Sequence, residues 1–404
     1  MPHTKVVHTV LRLVGLALLL MTLTGCELAA GMTIEIAEDG SIIIRDAGAA
    51  SGGGVSQPVT SGGQGVSPVI TGSAGLTASG GWWQVMFTDP TTNDRTIINT
   101  LLDYINNAER SILIAAFEFD LTEVAEALIA AHQRGVEVRW VTDDEHGLGA
   151  DEDDGHGQFA MLEAAGIEVI DDGRSALMHN KFIIFDDELV WTGSTNLTTN
   201  GSFRNNNNVI VIASPELAEI YTREFEEMWG GEFGPTSTST VDQQFVTIEG
   251  TDIQVMFAAE DNVEPYLVDL INDAQESIYF MAFSFTSTPI GDAMLERAQA
   301  GVNVAGIFET RGSETEYSEL PQLFCAGQAV RQDGNPGTFH HKVIVIDQWL
   351  VVTGSFNFSQ NATRSNDENA LIIGNSDIAA QYLAEFSRRW VEARDPDPAN
   401  ITCP

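Results

Sequence analysis

The sequence predicts an α/β protein in which one layered unit is written twice, and three observations carry that prediction. "QVMF" at 84–87 returns at 254–257, and "AERSILIAAFEF" from 108 returns as "AQESIYFMAFSF" from 274, an offset of 166. From His179 onward the offset settles at 161, pairing Lys181 with Lys342, Asp186 with Asp347, Gly193 with Gly354 and Asn196 with Asn357, and it still holds at Trp229 and Trp390. Within each copy the apolar residues switch between helical and strand periods, as helices packed on a central parallel or mixed sheet require.

The elements of the first copy follow in order. Ile97, Leu101, Ile105 and Ala108 recur at helical spacing, and residues 112–119 then run apolar and partly β-branched as a buried strand. Residues 121–134 read as a helix stopped at Gly135, and "VEVRWVT" as the strand after it. "FIIF" and "NVIVI" are further strands, and Ser214 followed by Pro215 opens a helix. "GGEFGPTSTST" at 230–240 marks the seam. The expected division is 84–230 for the first repeat, 231–250 for a linker, 251–394 for the second repeat and 395–404 for a tail.

The amino-terminal residues read as an address. Lys5 and Arg12 lead into "LRLVGLALLLMTLTGC", too short to span a bilayer comfortably and closed by small residues, as in a secretory signal. "LTGC" resembles the bacterial lipobox, which implies cleavage after residue 25, lipid on Cys26 and an exported lipoprotein anchored to an envelope membrane. "MTIEIAEDGSIIIRD" alternates like a small hairpin around Asp39 and Gly40, and the Gly/Ser-rich 47–81 reads as a tether within a 26–83 lead segment. Export would let Cys325 and Cys403 form a disulfide.

The charge is extreme, with 58 acidic against 19 basic side chains and a net of −39. Such a surface repels polyanions at long range, which argues against broad nucleic-acid binding unless a local basic pocket overrides it. Lysine occurs at only three positions, and two of them, Lys181 and Lys342, stand in "HNKFIIFDD" and "HHKVIVIDQ". On a strand, side chains two apart share a face, so His179 with Lys181, and His340 with Lys342, would present an imidazole beside an ammonium, a pairing suited to a phosphate. A continuous strand sends Asp186 and Asp347 to the opposite face, as support for the fold. Downstream, "TGSTN" and "TGSFN" offer Ser194, Ser355, Asn196 and Asn357 as donors to phosphate oxygens. Eleven residues beyond each Asn stand Asn207 and Glu368, and Glu368 is the expected partner of His340.

H-x-K-x4-D followed by G-S-x-N, present twice, resembles the phospholipase D superfamily of HKD enzymes, over roughly residues 84–394. The resemblance implies two α/β/α sandwich repeats with central mixed sheets, related by a pseudo-twofold axis that joins both motifs in one site within a monomer. It implies no metal or other cofactor, and catalysis by His179 and His340 through a phosphohistidine, His179 as nucleophile. Lys181, Lys342, Asn196 and Asn357 would clamp the phosphate, with Glu368 orienting an imidazole. Asn207 departs from the acid often found there, which would lower the basicity of His179. A phospholipase D-type phosphodiesterase hydrolysing the head-group bond of a phospholipid at a membrane is the leading expectation, with nucleic acid a less expected partner for so acidic a surface. An HKD endonuclease and an inactive phosphate-binding scaffold are the alternatives. Trp229 and Trp390 read as core, Trp82 and Trp83 as packing at the domain edge, and Arg174, Arg204, Arg331 and Arg364 as salt-bridging residues that could instead line an entrance. The acidic stretch 143–157 lacks the spacing of an EF-hand and reads as a solvated loop.

Overall fold

Apolar strands flanked by amphipathic helices build two sheets of the same order. The computed structural model describes residues 77–403 and the backbone of two earlier strands, β1 (Met32–Ile36) and β2 (Ile42–Asp46). These pair antiparallel, Met32 opposite Asp46, as the alternation around Asp39 and Gly40 suggested. The signal segment, Cys26 and most of the tether lie outside the described residues.

The first sheet contains β3 (Thr77–Ser79), β4 (Trp83–Phe87), β5 (Ser111–Ala116), β6 (Glu137–Thr142), β7 (Glu168–Asp171), β8 (Lys181–Phe185), β9 (Leu189–Gly193) and β10 (Asn208–Ala213). Its order is β3-β4-β10-β9-β8-β5-β6-β7, with β5, β6 and β7 parallel and the other pairings antiparallel. The second contains β11 (Phe245–Ile248), β12 (Thr251–Ala258), β13 (Ser277–Ala282), β14 (Asn303–Phe308), β15 (Ala329–Gln332), β16 (Lys342–Ile346), β17 (Leu350–Gly354) and β18 (Glu368–Gly374). Its order, β11-β12-β18-β17-β16-β13-β14-β15, repeats the first. The sheets are therefore mixed. Strand β11 lies inside the segment expected to be linker, and β3 inside the expected tether, because each pairs with the next strand and covers a sheet edge.

Helices Thr96–Asn107 and Thr122–Gln133 lay Ile97, Leu101, Ile105, Val124 and Leu128 on one face of the first sheet, against Ile112, Ile114, Val209 and Val211. Helix Pro215–Trp229, capped by Ser214 Oγ accepting from Leu217 N, covers the other face. Ser376–Glu392 is its counterpart, and Trp390 there is buried, whereas Trp229 is half-buried under the Arg139 guanidinium. Trp82 and Trp83 are buried too. Cys325 and Cys403 form a disulfide that ties the carboxyl-terminal tail to helix Leu320–Cys325.

The strand expected to run unbroken from His179 past Asp186 is shorter. It begins at Lys181 and ends at Phe185, and Asp186 sits in the following turn at φ +55°. Its carboxylate accepts hydrogen bonds from the backbone of Glu109, Arg110 and Ser111, and Asp347, at φ +48°, accepts from Gln275, Glu276 and Ser277. Each aspartate thus closes the entry to β5 or β13. Asp347→Ala leaves three backbone N–H groups without their acceptor, at a backbone conformation that alanine disfavours, so unfolding free energy should fall by about 2 to 4 kcal/mol. Asp347→Asn should lose less; equal denaturant midpoints for the two variants would contradict this role.

Candidate functional site

Strands β8 and β16 lie in the middle of their sheets, and all five residues of each are buried. The residues just before them leave the sheet and pair with the other repeat. His179 N donates to the Asp367 carbonyl at 2.9 Å, and His340 N donates to the Asn206 carbonyl at 2.9 Å. Single bridges join Met178 to Asp367 and Asn206 to Phe339. Each His-x-Lys segment is therefore positioned by the partner repeat, which brings two motifs 161 residues apart into one place.

The side chains follow the same crossed pattern. His179 Nδ1 donates to Glu368 Oε2 at 2.7 Å, across the repeats. His340 Nδ1 faces the Ser194 carbonyl and Asn207 Oδ1, each at 3.0 Å. Glu368 is thus the partner of His179 rather than of His340, and Asn207 serves His340. The expected assignment followed chain order, whereas the pairing crosses the pseudo-twofold axis. Each Nδ1 faces an acceptor and carries the proton, so Nε2 is left as the reactive atom of each ring.

The lysines are held alike. Lys181 Nζ donates to the His179 carbonyl at 2.7 Å and Lys342 Nζ to the His340 carbonyl at 2.9 Å. They lie over the rings of Phe117 and Phe283 at 5.0 and 4.9 Å, and those rings meet His179 and His340 edge-on. Asn196 and Asn357 flank the cleft with carboxamide oxygens that have no partner, and Asn196 Nδ2 donates to Glu118 Oε2 at 2.8 Å. Glu118 was missed in the sequence reading. Its signal lies in the repeat itself, where "AFEF" at 116–119 aligns with "AFSF" at 282–285 at the offset of 166, setting Glu118 against Ser284.

Ser194 and Ser355, expected as donors to phosphate, are fully buried and used internally. Ser194 Oγ donates to Asn207 Oδ1 at 2.8 Å and accepts from Asn208 N, while Ser355 Oγ accepts from Asn369 N. Gly193 and Gly354 make this possible, because a β-carbon at either would strike the carbonyl of Asn208 or Asn369. Beneath the site Asn208 and Asn369 exchange contacts between repeats. Thr353 Oγ1 donates to Asn208 Oδ1, Thr192 Oγ1 to Asn369 Oδ1, and Asn369 Nδ2 to Asn180 Oδ1, each at 2.9 Å.

Burial dominates the electrostatics. It pushes His179 and His340 well below the usual imidazole range, and both lysines act on both rings in the same direction. Burial lowers Lys181 to about 8 against the pull of Glu368 and Glu118, and pushes Lys342 well down with help from Lys181. Burial raises Glu368 to about 7. The His179–Glu368 pair is best described as sharing one proton. The site gains its full positive charge when an anion arrives, because a phosphate reverses the penalty that burial places on each cation.

Of the flanking arginines, Arg174 pairs with Asp172 and Asp367, and Arg331 with Asp395. The Arg204 guanidinium donates to Asn200 Oδ1 at 3.0 Å, and Arg364 is exposed without an ion pair among the described residues. In the acidic stretch, Asp143 is buried, and its carboxylate accepts from His146 N and Met178 N. Carboxylate oxygens of Asp143, Asp144 and Asp172 lie within 4.8 Å of one another, close enough for a cation, but Arg174 Nε and Asp144 N already donate to Asp172.

Comparison with known proteins matches residues 101–229 and 267–390 to the family model described as "Cardiolipin synthase, PLD-like domain". A protein named phospholipase D from Rickettsia bellii is 32% identical over 137 residues, covering 34% of this chain and 68% of that protein. A mitochondrial cardiolipin hydrolase from Xenopus tropicalis is 36% identical over 140 residues, 35% of this chain and 65% of that one. The crystal structure of a phosphatidylserine synthase from Haemophilus influenzae superposes with a TM-score of 0.57 at 12% identity, covering 77% of this chain and 87% of that chain, a likeness of fold.

The charge state of Lys181 makes a testable demand. Its ammonium is present below about pH 8 in the empty site and is lost as pH rises through that value. Diethyl phosphate, whose single charge is constant over this range, should bind with an affinity that drops about tenfold per pH unit on the alkaline side. Calorimetry reads this directly; an affinity independent of pH there would contradict the clamp.

Proposed function

The chain belongs to the phospholipase D-like family, and from that membership we propose that it hydrolyses the head-group phosphodiester of phospholipids through a covalent phosphohistidine. The observation that carries the reading is the crossed support of two buried imidazoles, each oriented by the opposite repeat and each beside its own lysine.

The geometry assigns unequal roles. Attack by His179 Nε2 on phosphorus forms the P–N bond and leaves positive charge on a ring whose Nδ1–H is bonded to the Glu368 carboxylate, which stabilises that charge. His340, with neutral acceptors at Nδ1, enters this step as the imidazolium, its charge offset by the bound phosphodiester, and gives its Nε2 proton to the departing alcohol as the P–O bond breaks. In the second half His340 takes a proton from water, the hydroxide oxygen bonds to phosphorus, and the P–N bond breaks to regenerate His179. Lys181 and Lys342, with Asn196 and Asn357, hold the non-bridging oxygens throughout.

The surroundings favour lipid over nucleic acid. A net charge of −39 repels a long polyanion, whereas a single phosphodiester needs only the local pair of lysines. We place the protein outside the cytoplasm, anchored through Cys26 and acting as a monomer, since both motifs come from one chain. The Cys325–Cys403 disulfide suits such an oxidising compartment.

Offering the purified protein a panel of phospholipids alongside single- and double-stranded DNA tests the substrate. Lipid head groups should be released and DNA left intact; nicked DNA with untouched lipid would reverse the assignment. His179→Ala and His340→Ala should each lower kcat by about three orders of magnitude or more. Asn207→Asp gives His340 a carboxylate, so the alkaline limb of the kcat profile should move to higher pH. An unmoved limb would mean that His340 is not the acid.

A further inference from the structure

Three consecutive backbone N–H groups lead into each motif, and each has its own acceptor. In the first repeat Leu177 N donates to Asn366 Oδ1 at 3.2 Å, Met178 N to Asp143 Oδ2 at 3.2 Å and His179 N to the Asp367 carbonyl at 2.9 Å. In the second, Thr338 N donates to Asn205 Oδ1 at 3.1 Å, Phe339 N to Glu309 Oε2 at 2.6 Å and His340 N to the Asn206 carbonyl at 2.9 Å. The first and third acceptors come from the opposite repeat. The middle one, a carboxylate, belongs to the repeat that carries the histidine.

The need for that carboxylate follows from where the segment lies. Met178 and Phe339 are fully buried, and the chain there is outside its own sheet, since β8 begins at Lys181 and β16 at Lys342. Alternate N–H groups of an extended segment point to opposite edges, so the edge bridged to Asp367 or Asn206 does not serve Met178 N or Phe339 N. A buried N–H needs an acceptor all the same. Asp143, the residue after β6, and Glu309, the residue after β14, supply it.

The other oxygen of each carboxylate is tied down as well. Asp143 Oδ1 accepts from His146 N at 2.8 Å and faces His146 Nδ1 at 3.0 Å. Glu309 Oε1 accepts from Arg311 N at 2.9 Å and from Arg311 Nε at 3.3 Å. At the offset of 166 Asp143 aligns with Glu309, so the device is duplicated although the residue type is not. Both carboxylates are buried, and each is anchored at one end and holds, at the other, the amide one residue before a histidine of the site. The opposite repeat sets the angle of each ring; the carboxylate sets the path by which the chain reaches it.

We propose that Asp143 and Glu309 are positioning residues, Asp143 acting through Met178 on the nucleophile His179 and Glu309 acting through Phe339 on the acid and base His340. The division of labour rests on the phosphodiesterase reading. The placement of the two segments does not.

Bis(p-nitrophenyl) phosphate and the full-length protein separate the two roles, because p-nitrophenolate leaves without needing a proton. Its release in a single turnover reads attack by His179, and decay of the phosphoenzyme reads water activation by His340. Asp143→Asn should slow release about tenfold or more, and Glu309→Gln should slow decay by a similar factor while leaving release within about twofold. Equal losses in both steps from either variant, or no loss from both, would overturn the proposal. Proton–nitrogen spectra of the imidazoles need no turnover, and His179→Ala and His340→Ala assign the two Nδ1–H signals. Asp143→Asn should move the His179 signal and leave that of His340, and Glu309→Gln the reverse, the unmoved signal reporting a folded protein. Signals that move together, or not at all, would sink the proposal as well. If an amide variant does not fold, Asp143→Glu or Glu309→Asp, which keeps the charge and shifts the carboxylate by one methylene, replaces it with the same expectations. A wild-type protein that cleaves no diester would refute the phosphodiesterase reading alone, and the spectra would still decide on positioning.

Discussion

The whole arrangement depends on one constraint, that two imidazoles and two ammoniums carried 161 residues apart meet in one place, as a single phosphate would require on the proposed mechanism. Two backbone hydrogen bonds satisfy it, His179 N to the Asp367 carbonyl and His340 N to the Asn206 carbonyl, each crossing from one repeat to the other. Beneath them Asn208 and Asn369 reach reciprocally for Thr353 and Thr192, so that the two sheets meet through directional bonds as well as apolar packing. Neither repeat could orient its own histidine. On the proposed mechanism the interface is part of the catalytic apparatus, and a small rotation of one repeat would misalign both rings at once.

Duplication builds the frame, and the departures from it differentiate the chemistry. Glu368 faces one imidazole where Asn207 faces the other, which separates a ring suited to carrying positive charge from one held by neutral acceptors. Glu118 stands beside Asn196 where the second copy has Ser284. Arg174 pairs with Asp172 and Asp367 where the second copy has Asn335. In each case the backbone is nearly the same and a single side chain alters the charge or volume available to a ligand.

The electrostatics have the same economy. A chain of net charge −39 keeps two of its three lysines in buried positions where, without a ligand, holding a proton is costly. The phosphodiester supplies the missing counter-charge, so binding and protonation are coupled. Long polyanions gain nothing extra from this, because the positive charge does not extend beyond the cleft. One phosphate at a time is what the site is built to neutralise.

Periodicity and repetition were local properties, and the sequence alone determined them. The alternation of helices and strands, the offset of 161, the residues of both motifs and the hairpin around Asp39 could all be read from it, because apolar spacing dictates which face a side chain takes. Strand ends were less legible. Lys181 begins β8, and Asp186 closes a turn, because hydrogen bonds to residues 109–111 outweigh continuation of the strand. Only the tertiary structure decided that Glu368 serves His179 instead of His340, and that Ser194 and Ser355 are consumed internally. The crossed pairs join residues 133 to 189 positions apart on opposite repeats, and the serines are taken up by asparagines 13 or 14 positions on in their own repeat, so order along the chain does not say which atoms meet.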